Sequence, residues 1–485
     1  MPEANTSQKV IVKSLFWKIF ERLSVQGVNL IVQIILARIL LPEDFGNLAI
    51  IVAITNYAAI FVQTGFATTI IQKKDIDDLD ISTLFFTSLG LALFFYSILF
   101  LYAPLIADIY EAPELIWPLR VLGVLLFLNS INSVQSAIYS RRMEFKKIFI
   151  RSIIAVPISG IVGIILAIYG FGLWALVIHN ILNVLIIILV MALDKTCWIK
   201  FQFSFKRLKT IFPFAFKIIL TGVVTGGSDF IRTMIIGKKY DSEDLAYYDK
   251  AYTYSSYVTQ VIGQSVTSVM LPSLSREQGN LTRLKAMSRK SVSISAFVMF
   301  PILLGVAAIS SPFVLILLTE KWAACIPFLM VFCILRMPSF ISNIDKQVYY
   351  ALGKSGINLI YEIGLLIINV ASLLVTVQFG VMWIAVGATI VEWFGCLIIC
   401  FISAKEYCYS VKERLSDVIK PLCNSLLMFA CVYSVQFVPL NRFLTMILQV
   451  LIGIVVYFIL SVLTKEKSLL YIMEAVKNRR GESAK

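Results

Sequence analysis

LARILLPEDFGNLAI (residues 36–50) and IGKKYDSEDLAYYDK (residues 236–250) overlay at an offset of 200. Glu43-Asp44 falls on Glu243-Asp244, Arg38 on Lys238, and Phe45-Gly46 on Leu245-Ala246. Two weaker echoes follow: FGLW (171–174) resembles FGVMW (379–383), and Trp117-Pro118 resembles Ile326-Pro327. Phe, Gly and Trp are common at helix ends, so no single echo decides anything. Their shared spacing, between 200 and 209 positions, argues for a duplicated six-helix unit.

The solvent of that unit follows from composition. Of 485 residues, 59% are hydrophobic and only 15% charged, with a mean hydropathy of +0.86, more apolar surface than one water-soluble core would bury. Runs of bilayer-spanning length, about 20 residues each, fall at 13–40, 45–70, 82–106, 116–140, 148–169, 172–193, 211–237, 245–272, 291–318, 325–352, 358–378, 381–402, 418–437 and 443–463. The expected fold is an all-α integral membrane protein of about fourteen helices. It divides into an N-lobe of helices one to six (1–200), a C-lobe of helices seven to twelve (201–405), and a last segment (406–485) with two further helices and a basic tail. Six is even, so both lobes enter from the same side and the repeats are parallel.

The formal charge of +14 is then a statement about topology. Gaps on one side of the membrane carry about 28 Lys/Arg and those on the other about 4, which by the positive-inside rule makes the rich side cytoplasmic. RRMEFKK (141–147), KFQFSFKRLK (200–209) and KNRR (477–480) are expected inside, ADIYEAPEL (107–115) and YDSEDL (240–245) outside, and both termini cytoplasmic. The polar start MPEANTSQKV reads as an uncleaved cytoplasmic N-terminus. With the basic residues dispersed in short gaps, a nucleic-acid partner is not expected. The eight cysteines show no metal or redox spacing and read as small apolar side chains.

Ionisable groups at bilayer depth cost about 2.5–3.5 kcal/mol on insertion scales, so they face a cavity or a partner. The first helix carries Lys18, Glu21 and Arg22, the first two within reach of one another and Lys18 and Arg22 on one face. The seventh carries Lys217 near the equivalent place, then Asp229 and Arg232. Lys18 and Lys217, near the cytoplasmic end, either snorkel to the interface or line a path; Asp229 and Arg232 read as an internal ion pair or as part of a site. Arg336 and Glu392 each lie near the midplane of their helices. Arg336 there needs a carboxylate or an anionic ligand, and Glu392 is either that partner or a protonatable group. His179, the single histidine, is a packed side chain or a proton relay.

ARILLPEDFG (37–46), TGFATTIIQKKDI (64–76), STLFF (82–86), AIYSRRMEFKK (137–147), YGFGLWALV (169–177), SEDLAYYDKAY (242–252) and LPSLSRE (271–277) together resemble the polysaccharide transporter family. These are the Wzx-type oligosaccharide flippases of the multidrug/oligosaccharidyl-lipid/polysaccharide exporter superfamily. The resemblance implies two six-helix lobes around a central cavity in the bacterial inner membrane. It also implies a substrate of undecaprenyl pyrophosphate bearing an oligosaccharide repeat unit, moved from the cytoplasmic to the periplasmic leaflet for O-antigen, capsule or exopolysaccharide assembly, with polymerase machinery and membrane lipids as partners. For that substrate, Lys18, Arg22, Lys217 and Arg336 are the candidate pyrophosphate ligands, and Glu21, Asp229, Arg232, Glu392 and His179 the candidates for ion pairing or coupling. No catalytic residue, metal or cofactor is expected beyond a coupling proton or sodium ion, and no GxxxxGK[ST] loop points to direct ATP use. A drug antiporter of the same superfamily predicts a carboxylate-dominated cavity, whereas the intramembrane excess here is basic. A peptidoglycan-precursor flippase shares fold and carrier. A glycosyltransferase or polymerase needs an extramembrane segment longer than any gap in this chain.

Overall fold

The protein is described as a computed structural model over residues 20, 24–73, 75–194, 200–277, 279–466 and 468–469. No strand occurs among these residues. The fourteen principal helices are α1 Ser24–Ile39, α2 Pro42–Gln72, α3 Asp78–Ile109, α4 Pro113–Arg141, α5 Phe145–Ile168, α6 Leu173–Ala192, α7 Phe205–Lys239, α8 Ser242–Arg276, α9 Leu281–Ala308, α10 Cys325–Ala351, α11 Ser355–Thr376, α12 Val381–Tyr407, α13 Val411–Phe437 and α14 Arg442–Leu463. A short helix, Ser310–Leu317, follows α9.

Twelve of the fourteen are long and apolar enough to cross a membrane; α1 and α8 are the exceptions. For α1 the described part is short. For α8 the reason is composition: SEDLAYYDKAYTYSSYVTQV carries hydroxyl and charged groups on every turn, so the helix needs polar neighbours or water along its length. Several helices outrun their apolar stretches because the ends are capped by polar residues. Asp77 caps α3 through the Asp80 amide, Ser204 caps α7 through the Arg207 amide, and Ser410 with Glu413 forms a capping box at α13.

Contacts divide the chain into two units, residues 1–246 and 247–485, with the division inside α8. In the first unit α7, the opening helix of the second sequence repeat, lies along α2: Ile211, Ala215 and Ile219 share a buried cluster with Phe66 and Ile70, and the Tyr57 and Phe230 rings stack at 4.3 Å. The two repeated acidic segments also meet there. Gly46 packs so closely on Ser242 that a Cβ would overlap its carbonyl, and the Ser242 hydroxyl donates to Asn47 Oδ1 at 2.7 Å. In the second unit α13 packs along α9, and α14 packs on α13.

Duplication is also written in the backbone. Gly172 and Gly380, the glycines of FGLW and FGVMW, both have positive φ (51° and 116°) and stand immediately before α6 and α12. Positive φ also closes α4 and α10, at Met143 and Gly353, each followed by a six-to-one bond: Glu144 N–H to Tyr139 O at 3.0 Å, and Lys354 N–H to Tyr349 O at 2.8 Å.

Candidate functional site

Arg336 is placed by a broken helix. The first half of α10, Cys325–Arg336, ends at Met337-Pro338, and a second helical piece runs Ser339–Ala351. Proline has no amide hydrogen and disfavours helical geometry in the residue before it, so the backbone turns there. The loosened carbonyls find other donors: Ile334 O accepts from the Trp393 indole at 3.2 Å, and Arg336 O accepts from the Ser339 hydroxyl at 2.7 Å. The Arg336 guanidinium lies 4.2 Å over the Tyr252 ring, while its buried Nε has no hydrogen-bond partner. Among the described residues no carboxylate pairs with it, Glu392 included; Glu392 sits half-buried on α12. A cation–π contact supplies about 2 kcal/mol when desolvated and leaves the guanidinium charge without a counter-ion.

The remaining candidates are distributed over both units. Lys217 is exposed on α7. Asp229 and Arg232, one turn apart on the same helix, form an ion pair at 3.1 Å with Arg232 largely buried and Asp229 half-exposed. His179 is buried on α6 against Gly163 of α5. Lys18, Glu21 and Arg22 lie outside the described residues. The geometry thus joins Asp229 to Arg232 and leaves Arg336 facing an aromatic ring.

Two features of the second unit were not anticipated. Asp345 and Arg414, both fully buried, form a bidentate pair (2.9 and 3.0 Å) completed by the Tyr407 hydroxyl at 2.5 Å. Arg414 falls in the gap between the apolar runs 381–402 and 418–437, although SVKE (410–413) carries the capping-box spacing that starts the helix earlier. The other feature is an apolar groove of about 460 Å³ between α9, α13 and α14, walled by Phe297, Pro301, Met428 and Tyr457, with Gly305 and Gly453 keeping it open. Gln449 on its wall is fully buried; its Nε2 donates to Val432 O at 3.1 Å and its Oε1 has no partner. A groove lined this way accepts hydrocarbon, so one unit holds both an un-neutralised cation and a slot for an apolar chain.

Comparisons with known proteins agree with this architecture. The succinoglycan biosynthesis transport protein ExoT of Rhizobium meliloti (strain 1021) is 23% identical over 66% of this chain and 65% of its own length. The lipopolysaccharide biosynthesis protein WzxC of Escherichia coli (strain K12) is 22% identical over 80% of each chain. Among solved structures, the lipid II flippase MurJ in an inward closed conformation superposes with a TM-score of 0.77 at 17% identity, covering 94% of this chain and all of that one, so the two share a fold. The model of the family described as polysaccharide biosynthesis protein matches residues 35–327, more than half of the sequence and including both repeated acidic segments; to that family the chain belongs.

Proposed function

We propose that this protein translocates a lipid-linked oligosaccharide with a pyrophosphate head, undecaprenyl pyrophosphate carrying a polysaccharide repeat unit, from the cytoplasmic to the periplasmic leaflet of the bacterial inner membrane. Family membership and a transporter fold support transport without chemistry on the substrate. The observation that carries the lipid-linked reading is Arg336: a guanidinium inside an apolar bundle, stacked on Tyr252, with a buried donor unsatisfied and no carboxylate against it. Such a group is complementary to a phosphate oxygen, which a planar guanidinium binds through directed, charge-assisted hydrogen bonds. The groove between α9, α13 and α14 supplies the other half of an amphipathic substrate, a lodging for part of the polyprenyl chain.

On this reading Lys18, Arg22 and Lys217 are further candidate phosphate ligands, and transport runs by alternating access. Glu392, His179 and the Asp229–Arg232 pair are the groups available to couple the motion to a proton or sodium ion. Deleting the gene tests the reading. Undecaprenyl-linked repeat units should accumulate on the cytoplasmic face with polymer absent outside; repeat units lacking one sugar, with transport intact, would instead mark the protein as an enzyme.

A further inference from the structure

The stretch 200–209 is bound to the protein along one edge and open along the other. Residues 200–204 are non-helical and lead into α7. On the bound edge, the Ser204 amide donates to Thr83 Oγ1 at 3.2 Å, Lys200 pairs with Asp78 at 2.7 Å, and Arg207 pairs with Asp77 at 3.0 Å. On the open edge, alternate positions present phenyl rings: Phe201 is 93% exposed and Phe205 78%, with Phe203 between them. Lys206 and Lys209 are exposed too, and neither has a carboxylate partner among the described residues.

Depth follows from α3. Asp77 caps that helix at its polar end, and the Phe201 ring lies 5.2 Å from Phe86, nine residues further along, about 13 Å at 1.5 Å per residue. Phe201 therefore reaches the level of lipid acyl chains, while Arg207, which lies between the two lysines in sequence, reaches Asp77 at the polar end of α3. Phenyl groups at that depth beside unpaired lysines match the amphipathic pattern of interfacial segments, which bind by apolar burial plus attraction to anionic headgroups.

We infer that 200–209 is a docking surface for the anionic lipids of the leaflet it faces: Phe201, Phe203 and Phe205 enter the acyl region, and Lys206 and Lys209 hold lipid phosphate. The charge of the segment and its continuity with a membrane-spanning helix favour lipid over a protein partner. The test places the photoreactive residue p-benzoylphenylalanine at Phe201 in the full chain, reconstituted in nanodiscs of phosphatidylethanolamine and phosphatidylglycerol of known ratio, and identifies adducts by mass spectrometry. The same label at Leu101, 73% exposed on α3, confirms that the protein is inserted. Phosphatidylglycerol adducts at position 201 should exceed their share of the bilayer at least several-fold, since about 1 kcal/mol per engaged lysine is a factor of about five for each. Combining Lys206→Gln with Lys209→Gln should return them to that share without loss of total lipid adducts. Absence of lipid adducts at 201 while Leu101 gives them, or adducts in bulk proportion in the parent chain, would overturn the inference.

Discussion

Single residues separate two kinds of intramembrane charge. Arg414 is neutralised by Asp345, which also accepts from the Tyr407 hydroxyl, and truncating it strands a buried carboxylate; Arg414→Ala should cost about 3–5 kcal/mol, seen as a lowered unfolding midpoint in detergent. Arg336 has an aromatic face and no counter-ion, so Arg336→Ala should leave folding nearly intact and reduce polymer export about ten- to hundredfold, the worth of a charged hydrogen bond of about 1.5–3 kcal/mol, with Arg336→Lys retaining part. At the aqueous edge, the Asp80 amide, then Arg207 and Lys73, hold the Asp77 carboxyl below the ordinary carboxylate range. That contribution is complete above the unfolded value and is lost as pH falls through the lowered folded one. Exchange of the Asp80 amide should therefore accelerate only at pH below the usual carboxylate range. Arg336 was legible because an arginine far from both helix ends has nowhere to snorkel. The Asp345–Arg414 pair was not, since its members lie 69 positions apart and the arginine looked like a loop charge.

Helices show where sequence reading succeeds and where it stops. Apolar length located the twelve helices long and apolar enough to cross a membrane, and α8, which carries polar groups on every turn, is not among them. The repeat was visible wherever the backbone demands glycine, as at Gly172 and Gly380. It was hidden where an ordinary residue takes the same conformation: Met143 answers Gly353, and nothing in the letters announces a methionine with φ of 57°. The break in α10 at Pro338 was likewise legible only as a proline, not as the device that turns out Arg336. Close packing of the repeated motifs gives a prediction at this scale. Gly46→Val must push α2 and the start of α8 apart, costing about 1–3 kcal/mol and abolishing export, whereas the same change at the open position Gly90 should do neither.

At the scale of the molecule, the two halves of the sequence repeat do not coincide with the two contact units, because α7 lies along α2 within residues 1–246. Residues 406–485, outside the sequence repeat, supply α13 and α14, whose contact with α9 creates the groove; nothing in local sequence specifies which helix they will meet. Arg336, with no carboxylate against it among the described residues, carries the proposed binding of an anionic lipid head. The most direct test of that binding is the sidedness of the lipid-linked repeat unit in cells whose only copy of the protein carries Arg336→Ala, measured with a membrane-impermeant sugar-modifying reagent added to the periplasm. The account predicts normal protein in the membrane and repeat units protected from the reagent; repeat units as accessible as in the parent strain would contradict it.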